Sequence, residues 1–254
     1  MNIIQFGKSE RVRIAASRLS SALADRSGDL ILLPIPTTRD GTHITGCDVA
    51  LSSALDGVGQ GTVVVGYAIP ASLCDRLSGN GALVLDAARD EDFLASNAAI
   101  TADGTLGRIL TESRRAPRDL SVGIIGYGRI GSRLMSRLMF LGSRVSVITT
   151  RQSVRLSLGE SGVDCRDGDD PDRFSGLDII VNTAPAETVS ESEMAEMSRG
   201  GVWVIDLASG KYLSDSPALT KLPSVPDMMY PESAGRLYAD LALRALDGEI
   251  TPKT

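Results

Sequence analysis

Val122-Gly123-Ile124-Ile125-Gly126-Tyr127-Gly128-Arg129-Ile130-Gly131 is the stretch that decides the fold of this chain. It joins an apolar run, typical of a buried strand, to glycines spaced as Gly-x-Gly-x-x-Gly. Apolar residues then recur at helical spacing up to Leu141. A strand that passes through such glycines into a helix is the arrangement that binds the pyrophosphate of a dinucleotide. Because three glycines alone arise easily by chance, the flanking strand and helix carry the prediction.

Each glycine of the motif has its own predicted role. Gly126 permits a tight turn, Gly128 lets the backbone approach the pyrophosphate, and Gly131 allows the helix to pack closely on the sheet. The unpaired N–H groups at the helix N-terminus face the phosphates. The predicted cofactor-binding residues are therefore Gly126, Tyr127, Gly128, Arg129, Ile130 and Gly131, with Tyr127 packing over the phosphates. The alternative is a glycine-rich turn without a ligand.

The end of the next predicted strand should select the form of the cofactor. Domains that bind NAD usually carry Asp or Glu about 20 residues after the glycines, where it binds the ribose 2′-hydroxyl. Here the strand ends in Thr149, Thr150 and Arg151 without an acidic residue. Threonine hydroxyls and an arginine suit a 2′-phosphate, and Arg155 would share a helix face with Arg151. We therefore predict NADP (NADPH), with NAD as the less favoured alternative.

Two later strands end in small polar residues that should face the nicotinamide, because ligands bind beyond the carboxyl ends of parallel strands. The predicted cofactor-binding residues there are Asn182, Thr183 and Pro185 after one strand, and Asp206 and Ser209 after the other. Ordinary turns also favour these residue types, which is the alternative explanation.

Short apolar runs alternate with helical patterns, which predicts an α/β protein with parallel sheets. The predicted strands are Asn2–Phe6, Leu30–Leu33, Thr62–Val65, Ala82–Leu85, Ser121–Ile125, Arg144–Ile148, Leu177–Val181 and Val202–Asp206. Residues 100–104 resemble a helix start and indicate a break in a helical pattern, and the charged, proline-broken segment 114–119 indicates a domain boundary. We predict two domains: a smaller N-terminal α/β domain (1–115) for substrate or partner, and a doubly wound Rossmann domain (116–230). A C-terminal helix within 231–254 should pack back on the core.

The composition disfavours several classes of protein. Among 254 residues, 32 are acidic and 26 are Lys or Arg, unlike the basic balance of nucleic-acid-binding proteins. No apolar run approaches the ~18 residues of a membrane-spanning helix, and the N-terminus lacks a signal-peptide pattern. Three scattered cysteines and one histidine suit neither a disulfide framework nor a metal cluster. We predict a cytoplasmic protein with no metal site and no nucleic-acid or membrane partner.

The order of motifs resembles the A subunits of dipicolinate synthase, NADP-dependent proteins of spore-forming bacteria. The resemblance rests on Leu33-Pro34-Ile35-Pro36-Thr37-Thr38-Arg39-Asp40-Gly41, Asn97-Ala98-Ala99-Ile100-Thr101-Ala102-Asp103-Gly104, the glycine motif, Asn182–Pro185, Ile205–Ser209 and Ala234-Gly235. It implies oxidation of dihydrodipicolinate to dipicolinate (pyridine-2,6-dicarboxylate) during sporulation. It also implies a small flavoprotein-like B subunit as partner, and we expect an oligomer.

Two loops depart from that family's pattern, at residues 210–213 and 225–228. Both should contact substrate. They leave two alternatives open: a dehydrogenase of similar fold acting on another small carboxylate, or a nucleotide-binding regulatory or scaffold subunit without turnover.

Four residues are candidates for the chemistry of the substrate: Arg39, His43, Asn97 and Thr101. Arg39 lies in a proline-framed loop and could bind a carboxylate through two hydrogen bonds, or pair structurally with Asp40 or Asp86. His43, the lone histidine, suits proton transfer, although its surroundings resemble an exposed loop.

Asn97 and Thr101 belong to the predicted junction between the domains. Their side chains could orient the substrate ring, or could instead cap a broken helix. We expect a small dicarboxylate to bind in a cleft between residues 1–115 and the Rossmann domain.

Overall fold

The structure is a computed structural model that describes residues 1–208, 210 and 212–248. The chain folds into two compact units. Unit 1 comprises Met1–Asn97 together with the chain from Pro226 onward, and unit 2 comprises Ala98–Val225. No helix of the described residues is long and apolar enough to cross a membrane.

Unit 1 is built on a parallel sheet of four strands in the order β1-β2-β3-β4. Its elements in chain order are β1 (Asn2–Gln5), α1 (Glu10–Ala22), β2 (Asp29–Leu32), α2 (Leu51–Ala54), β3 (Thr62–Gly66), α3 (Ala71–Gly79), β4 (Leu83–Asp86) and the long helix α4 (Glu91–Glu112), which continues into unit 2. The central strands β2 and β3 are apolar and buried along most of their length, as expected of parallel strands covered on both faces.

Unit 2 contains a parallel sheet of six strands in the order β10-β9-β8-β5-β6-β7. Its elements are β5 (Ser121–Ile125), α5 (Arg129–Phe140), β6 (Arg144–Thr149), α6 (Gln152–Glu160), β7 (Asp164–Asp167), β8 (Ile179–Asn182), α7 (Glu191–Gly200), β9 (Trp203–Asp206) and β10 (Leu219–Lys221). The direction of winding reverses between β5 and β8, which is the point where doubly wound sheets bind ligands. The predicted α/β fold with a doubly wound C-terminal sheet is confirmed.

The last two helices, α8 (Val225–Met229) and α9 (Pro231–Leu246), follow the large sheet in the sequence. Helix α9 packs against α1 in unit 1, and Gly235 makes this possible because a Cβ there would lie 2.6 Å from Ile14 Cβ. Tyr238 is fully buried, and its hydroxyl lies 2.9 Å from the carbonyl oxygens of Leu33 and Val65. The helix is therefore anchored to the small sheet through its middle.

A buried ion pair also links α1 to α8 within unit 1. The Nε of Arg11, a residue only 2% exposed, lies 3.0 Å from Oδ1 of Asp227, which is 17% exposed. Burial lowers the pKa of Arg11, and the charge of Asp227 opposes that shift. Among the described residues, the guanidinium therefore depends on one carboxylate, that of Asp227, for compensation of its charge.

The units differ from the predicted domains at their first boundary, which falls at Asn97–Ala98 and not at residue 115. The predicted break at residues 100–104 is wrong, because α4 runs through them without interruption. Small side chains explain the continuity: Ala98 and Ala102 are buried, and the Thr105 hydroxyl donates to the Thr101 carbonyl at 2.8 Å. Packing thus overrides the weak helix propensity of Thr and Gly.

Candidate functional site

The glycine motif forms the connection from β5 to α5. Gly126 has φ of +92°, a left-handed conformation that favours glycine. A Cβ on Gly131 would come closer than 3.0 Å to the Gly126 carbonyl oxygen, so the helix start packs directly on the turn. Gly128 is exposed, and a Cβ there would meet no atom within 4 Å. An open backbone surface at a helix N-terminus is the cradle that a pyrophosphate fits.

The other members of the motif surround this turn. Tyr127 and Ile130 are half-buried, whereas Arg129 is exposed as the first residue of α5. The Tyr127 carbonyl accepts a hydrogen bond of 2.7 Å from Nη2 of Arg151. The Arg151 side chain is thus placed beside the glycine turn.

A cavity of about 560 Å³ lies beside the glycine turn within unit 2, which is a volume typical of small-molecule sites. Its walls come from the carboxyl ends of β5 and β6 and from the segments that follow β7 and β8. The lining includes the apolar residues Ile125, Ile148, Ala184 and Val189, the polar residues Thr149, Thr150, Thr188 and Ser190, and the charged residues Asp169, Arg173, Glu187 and Glu193. A cavity with both an apolar wall and polar groups suits the adenosine half of a dinucleotide.

The end of β6 presents the side chains that were predicted to select the cofactor. Thr149 and Thr150 both line the cavity, and Thr149 is buried whereas Thr150 and Arg151 are exposed. The backbone N–H of Arg151 donates to Thr149 Oγ1 at 3.3 Å. The structure therefore brings Thr149, Thr150 and Arg151 together beside the glycine turn.

Sequence reasoning missed a carboxylate at this place. Asp167, the last residue of β7, is the register partner of Thr149 on β6. Arg155 binds both residues: its Nη1 donates to the Thr149 carbonyl at 2.8 Å, and its Nη2 lies 2.6 Å from Asp167 Oδ2. The strand β7 has the polar sequence Asp164-Cys165-Arg166-Asp167, so no apolar run indicated it.

Asn182 and Asp206, at the ends of the neighbouring strands β8 and β9, form a buried pair. Asn182 is fully buried, and its Nδ2 donates to Asp206 Oδ1 at 2.9 Å. Its Oδ1 accepts from the Ala184 N–H at 3.2 Å and from the Thr188 hydroxyl at 3.3 Å. Asn182 therefore holds the loop that forms one wall of the cavity. Asp206 is 2% exposed, and within the described residues its Oδ2 has no hydrogen-bond partner.

The remaining predicted cofactor-binding residues at these strand ends are Thr183, Pro185 and Ser209. The Thr183 hydroxyl donates to the Ile125 carbonyl at 2.9 Å and so ties the end of β8 to the glycine turn. Pro185 is exposed in the loop that follows. Ser209 lies outside the described residues.

Arg39 lies in unit 1, in the loop that follows β2 at the carboxyl edge of the small sheet. Its side chain is exposed, and among the described residues it has no hydrogen bond or ion pair. The alternative that it pairs with Asp40 or Asp86 is wrong. Asp40 binds His43, and Asp86 accepts the backbone N–H groups of Ala68 and Ile69 at 2.7 and 3.2 Å.

His43 lies in the same loop and forms a pair with Asp40. Its Nδ1 is 2.9 Å from Asp40 Oδ2, while Asp40 Oδ1 accepts the backbone N–H groups of His43 and Thr42, each at 2.8 Å. The bonds from these N–H groups and from the His43 ring hold the pKa of Asp40 well below its usual value. An ionised Asp40 can accept a hydrogen bond from a protonated Nδ1 and so orient the ring, with Nε2 as its other nitrogen.

Asn97 and Thr101 are four residues apart within α4 and therefore share one face of the helix. Asn97 is half-buried and Thr101 is buried. Because α4 is continuous here, the alternative that they cap a broken helix is wrong.

The doubly wound sheet, the glycine turn and the adjoining cavity define a dinucleotide-binding protein. Residues 82–223 match the profile of the D-isomer specific 2-hydroxyacid dehydrogenase, NAD binding domain. This match covers more than half of the chain, so the chain belongs to that family. Membership supports an oxidoreductase with a nicotinamide dinucleotide as cofactor. No curated protein sequence matches the chain.

Solved structures of similar fold include two dipicolinate synthase A subunits. The one from Bacillus halodurans has a TM-score of 0.77 and 20% identity, covering 96% of this chain and 97% of that one. The one from Bacillus subtilis has a TM-score of 0.78 and 17% identity, covering 98% and 96%. D-lactate dehydrogenase from Escherichia coli gives 0.58 and 13%, with 99% of each chain covered. The predicted resemblance to the A subunits is thereby confirmed at the level of the fold.

Proposed function

We propose that the protein is an NADP-dependent oxidoreductase of the dipicolinate synthase A type, which oxidises dihydrodipicolinate to dipicolinate. The observation that supports a carboxylate substrate is that the guanidinium of Arg39 is exposed and has no partner among the described residues. Its loop follows a strand of a parallel sheet, the edge at which such sheets bind ligands. Arginine binds a carboxylate through two parallel hydrogen bonds, so Arg39 would hold one carboxylate of the substrate.

The cofactor would bind in unit 2. Gly126, Gly128 and the N-terminus of α5 would hold the pyrophosphate, and the cavity beside them would hold the adenosine. Thr149, Thr150 and Arg151 would bind the 2′-phosphate. Asp206 and Asn182, hydrogen-bonded to each other at 2.9 Å, would fix the strand ends beside which the nicotinamide half binds.

Aromatisation of the dihydropyridine ring removes a hydride and a proton. Bound NADP supplies the hydride acceptor. His43 Nε2 would accept the proton, and the ionised Asp40 would stabilise the imidazolium that forms. Asn97 and Thr101, on one face of α4, would orient the ring. We further propose a cytoplasmic role in sporulation, with a flavoprotein-like subunit as partner and assembly into an oligomer.

The decisive experiment is calorimetric titration of dipicolinate, a stable compound, into the protein saturated with NADP. One arginine and neutral donors should bind a dianion modestly, with a dissociation constant of about 10 μM to 1 mM. Arg39→Gln should weaken binding at least tenfold. Arg18→Gln is the matched control, because Arg18 is also exposed and without a partner among the described residues of unit 1.

The absence of binding up to several millimolar would refute the substrate, and equal affinity of Arg39→Gln and wild type would refute the role of Arg39. Turnover of dihydrodipicolinate with and without a flavoprotein-like partner then separates an enzyme from a scaffold subunit.

A further inference from the structure

The end of β6 lacks the acidic residue that usually binds the ribose of NAD, yet the fold supplies one from the next strand. Asp167 ends β7 directly beside Thr149, its register partner, and Thr149 lines the cofactor cavity. The neighbouring Gly168 lines the same cavity. A Cβ on Gly168 would lie 2.8 Å from Thr150 Cγ2, so the end of β7 packs closely on the threonine pair.

Among the described residues, one guanidinium, that of Arg155, holds this carboxylate. Arg155 extends one nitrogen to the Thr149 carbonyl at 2.8 Å and another to Asp167 Oδ2 at 2.6 Å. The second carboxylate oxygen, Oδ1, accepts the backbone N–H of Asp169 at 3.2 Å. The Arg155 side chain is 22% exposed and that of Asp167 is 43% exposed, so the pair is only partly open to solvent.

The two possible cofactors respond to that carboxylate in opposite ways. A free carboxylate accepts a hydrogen bond from the 2′-hydroxyl of NAD, as in the usual acidic position. The same carboxylate repels the 2′-phosphate of NADP. A bound guanidinium removes both effects, because it compensates the charge and occupies an acceptor oxygen.

We propose that Arg155 sets the cofactor preference by masking Asp167, without itself contacting the cofactor. The inference rests on the proposed use of NADP. With Arg155 in place, Asp167 adds no net negative charge beside the 2′-phosphate that Thr149, Thr150 and Arg151 would bind. Without Arg155, the freed Asp167 repels NADPH and binds the ribose hydroxyls of NADH. Arg155 is thus a positioning residue, and Asp167 is a residue that would favour NAD if its carboxylate were free.

The test is a double-mutant cycle read by fluorescence titration of NADPH and NADH, which needs no substrate and no turnover. Wild type should bind NADPH at least tenfold tighter than NADH. Arg155→Gln, which keeps a donor for the Thr149 carbonyl, should lower that ratio at least tenfold. Asp167→Asn keeps an acceptor for the Asp169 N–H but leaves the positive charge of Arg155 uncompensated, so it should raise the ratio by favouring NADPH, with NADH affinity unchanged. The double variant should return to within threefold of wild type.

Arg144→Gln is the matched control, because Arg144 is an exposed arginine at the opposite end of β6, where its Nε donates to Ser121 Oγ at 3.0 Å. Its loss changes the net charge equally and should leave the ratio unchanged. Equal affinities of wild type for the two cofactors would overturn the proposed preference for NADP. If wild type prefers NADPH but Arg155→Gln weakens the binding of both cofactors alike, the masking is overturned and the preference for NADP stands. The same conclusion follows if the double variant does not regain the ratio of wild type. If Arg155→Gln does not fold, Asp167→Asn still tests the masking through NADH, whose affinity should be unchanged. A weaker NADH affinity would show that the wild-type carboxylate is already free to bind the ribose.

Discussion

Substitutions at two glycines of the same turn should change thermal stability and cofactor affinity independently of each other. Gly131→Ala places a Cβ closer than 3.0 Å to the Gly126 carbonyl oxygen, and neither backbone can yield without moving α5 away from β5. Overpacking of this kind costs about 1–3 kcal/mol. In a chain of this size, that corresponds to a fall in Tm of about 2–12 °C.

Gly128→Thr has the opposite expected effect. A Cβ at Gly128 meets no atom within 4 Å, and its φ of −103° suits any residue. Threonine is about as good an N-cap as glycine, so Tm should change by less than about 1 °C. Its branched side chain, however, fills the space proposed for the pyrophosphate, and NADPH affinity should fall at least a hundredfold.

Thermal melts followed by circular dichroism, without cofactor, and NADPH fluorescence titrations measure the two effects separately. Unchanged NADPH affinity in a folded Gly128→Thr variant would mean that the motif is only a structural turn. An unchanged Tm for Gly131→Ala would show that the close contact between helix and turn does not constrain the fold.

Three further outcomes follow from single contacts. Arg151→Ala should weaken NADPH binding at least tenfold in fluorescence titrations and leave NADH unchanged, because one charge-assisted hydrogen bond contributes about 1.5–3 kcal/mol; an equal loss for both cofactors would contradict the role. Asp227→Ala leaves the buried Arg11 guanidinium uncompensated and should lower the free energy of unfolding by about 3–5 kcal/mol in urea titrations, more than Arg11→Met does. The reverse order would contradict the reasoning, since Asp227 can still reach solvent. Tyr238→Phe should cost about 1–2 kcal/mol through the loss of the hydrogen bond that anchors α9, and an unchanged urea midpoint would argue against that anchor.

The main architecture could be predicted because most of its strands are apolar runs that end in turn residues. Strand β5 shows this best, since its five residues are all buried and lead directly into Gly126. The polar edge strand β7 has no such pattern, and its residues are exposed or only half-buried. An edge strand packs on one neighbour alone, so its sequence need not be apolar. This missed strand also carries Asp167.

The candidate residues could be identified by type, but their partners could not. Arg39 and Arg155 are both arginines close to predicted strand ends, and the sequence suggested an anionic ligand for each. In the structure Arg155 is engaged by Asp167, a residue twelve positions away, whereas Arg39 has no partner among the described residues. The position of α6 beside the end of β7 gives Arg155 its partner, and that position depends on the packing of whole elements.

Three aspartates illustrate how the surroundings determine what a carboxylate can do in this protein. Asp40 accepts backbone N–H groups that keep it ionised, and it can therefore orient and stabilise an imidazole. Asp167 is compensated by a guanidinium and offers little to a ligand while that pair is intact. Asp206 is buried, and its Oδ1 accepts the Asn182 side-chain N–H at 2.9 Å and the Ala208 backbone N–H at 3.1 Å. Because these donors come from the end of β8 and from the segment after β9, the carboxylate holds two neighbouring strand ends together. Its effect on a ligand would then pass through the position of those strand ends and not through a direct contact.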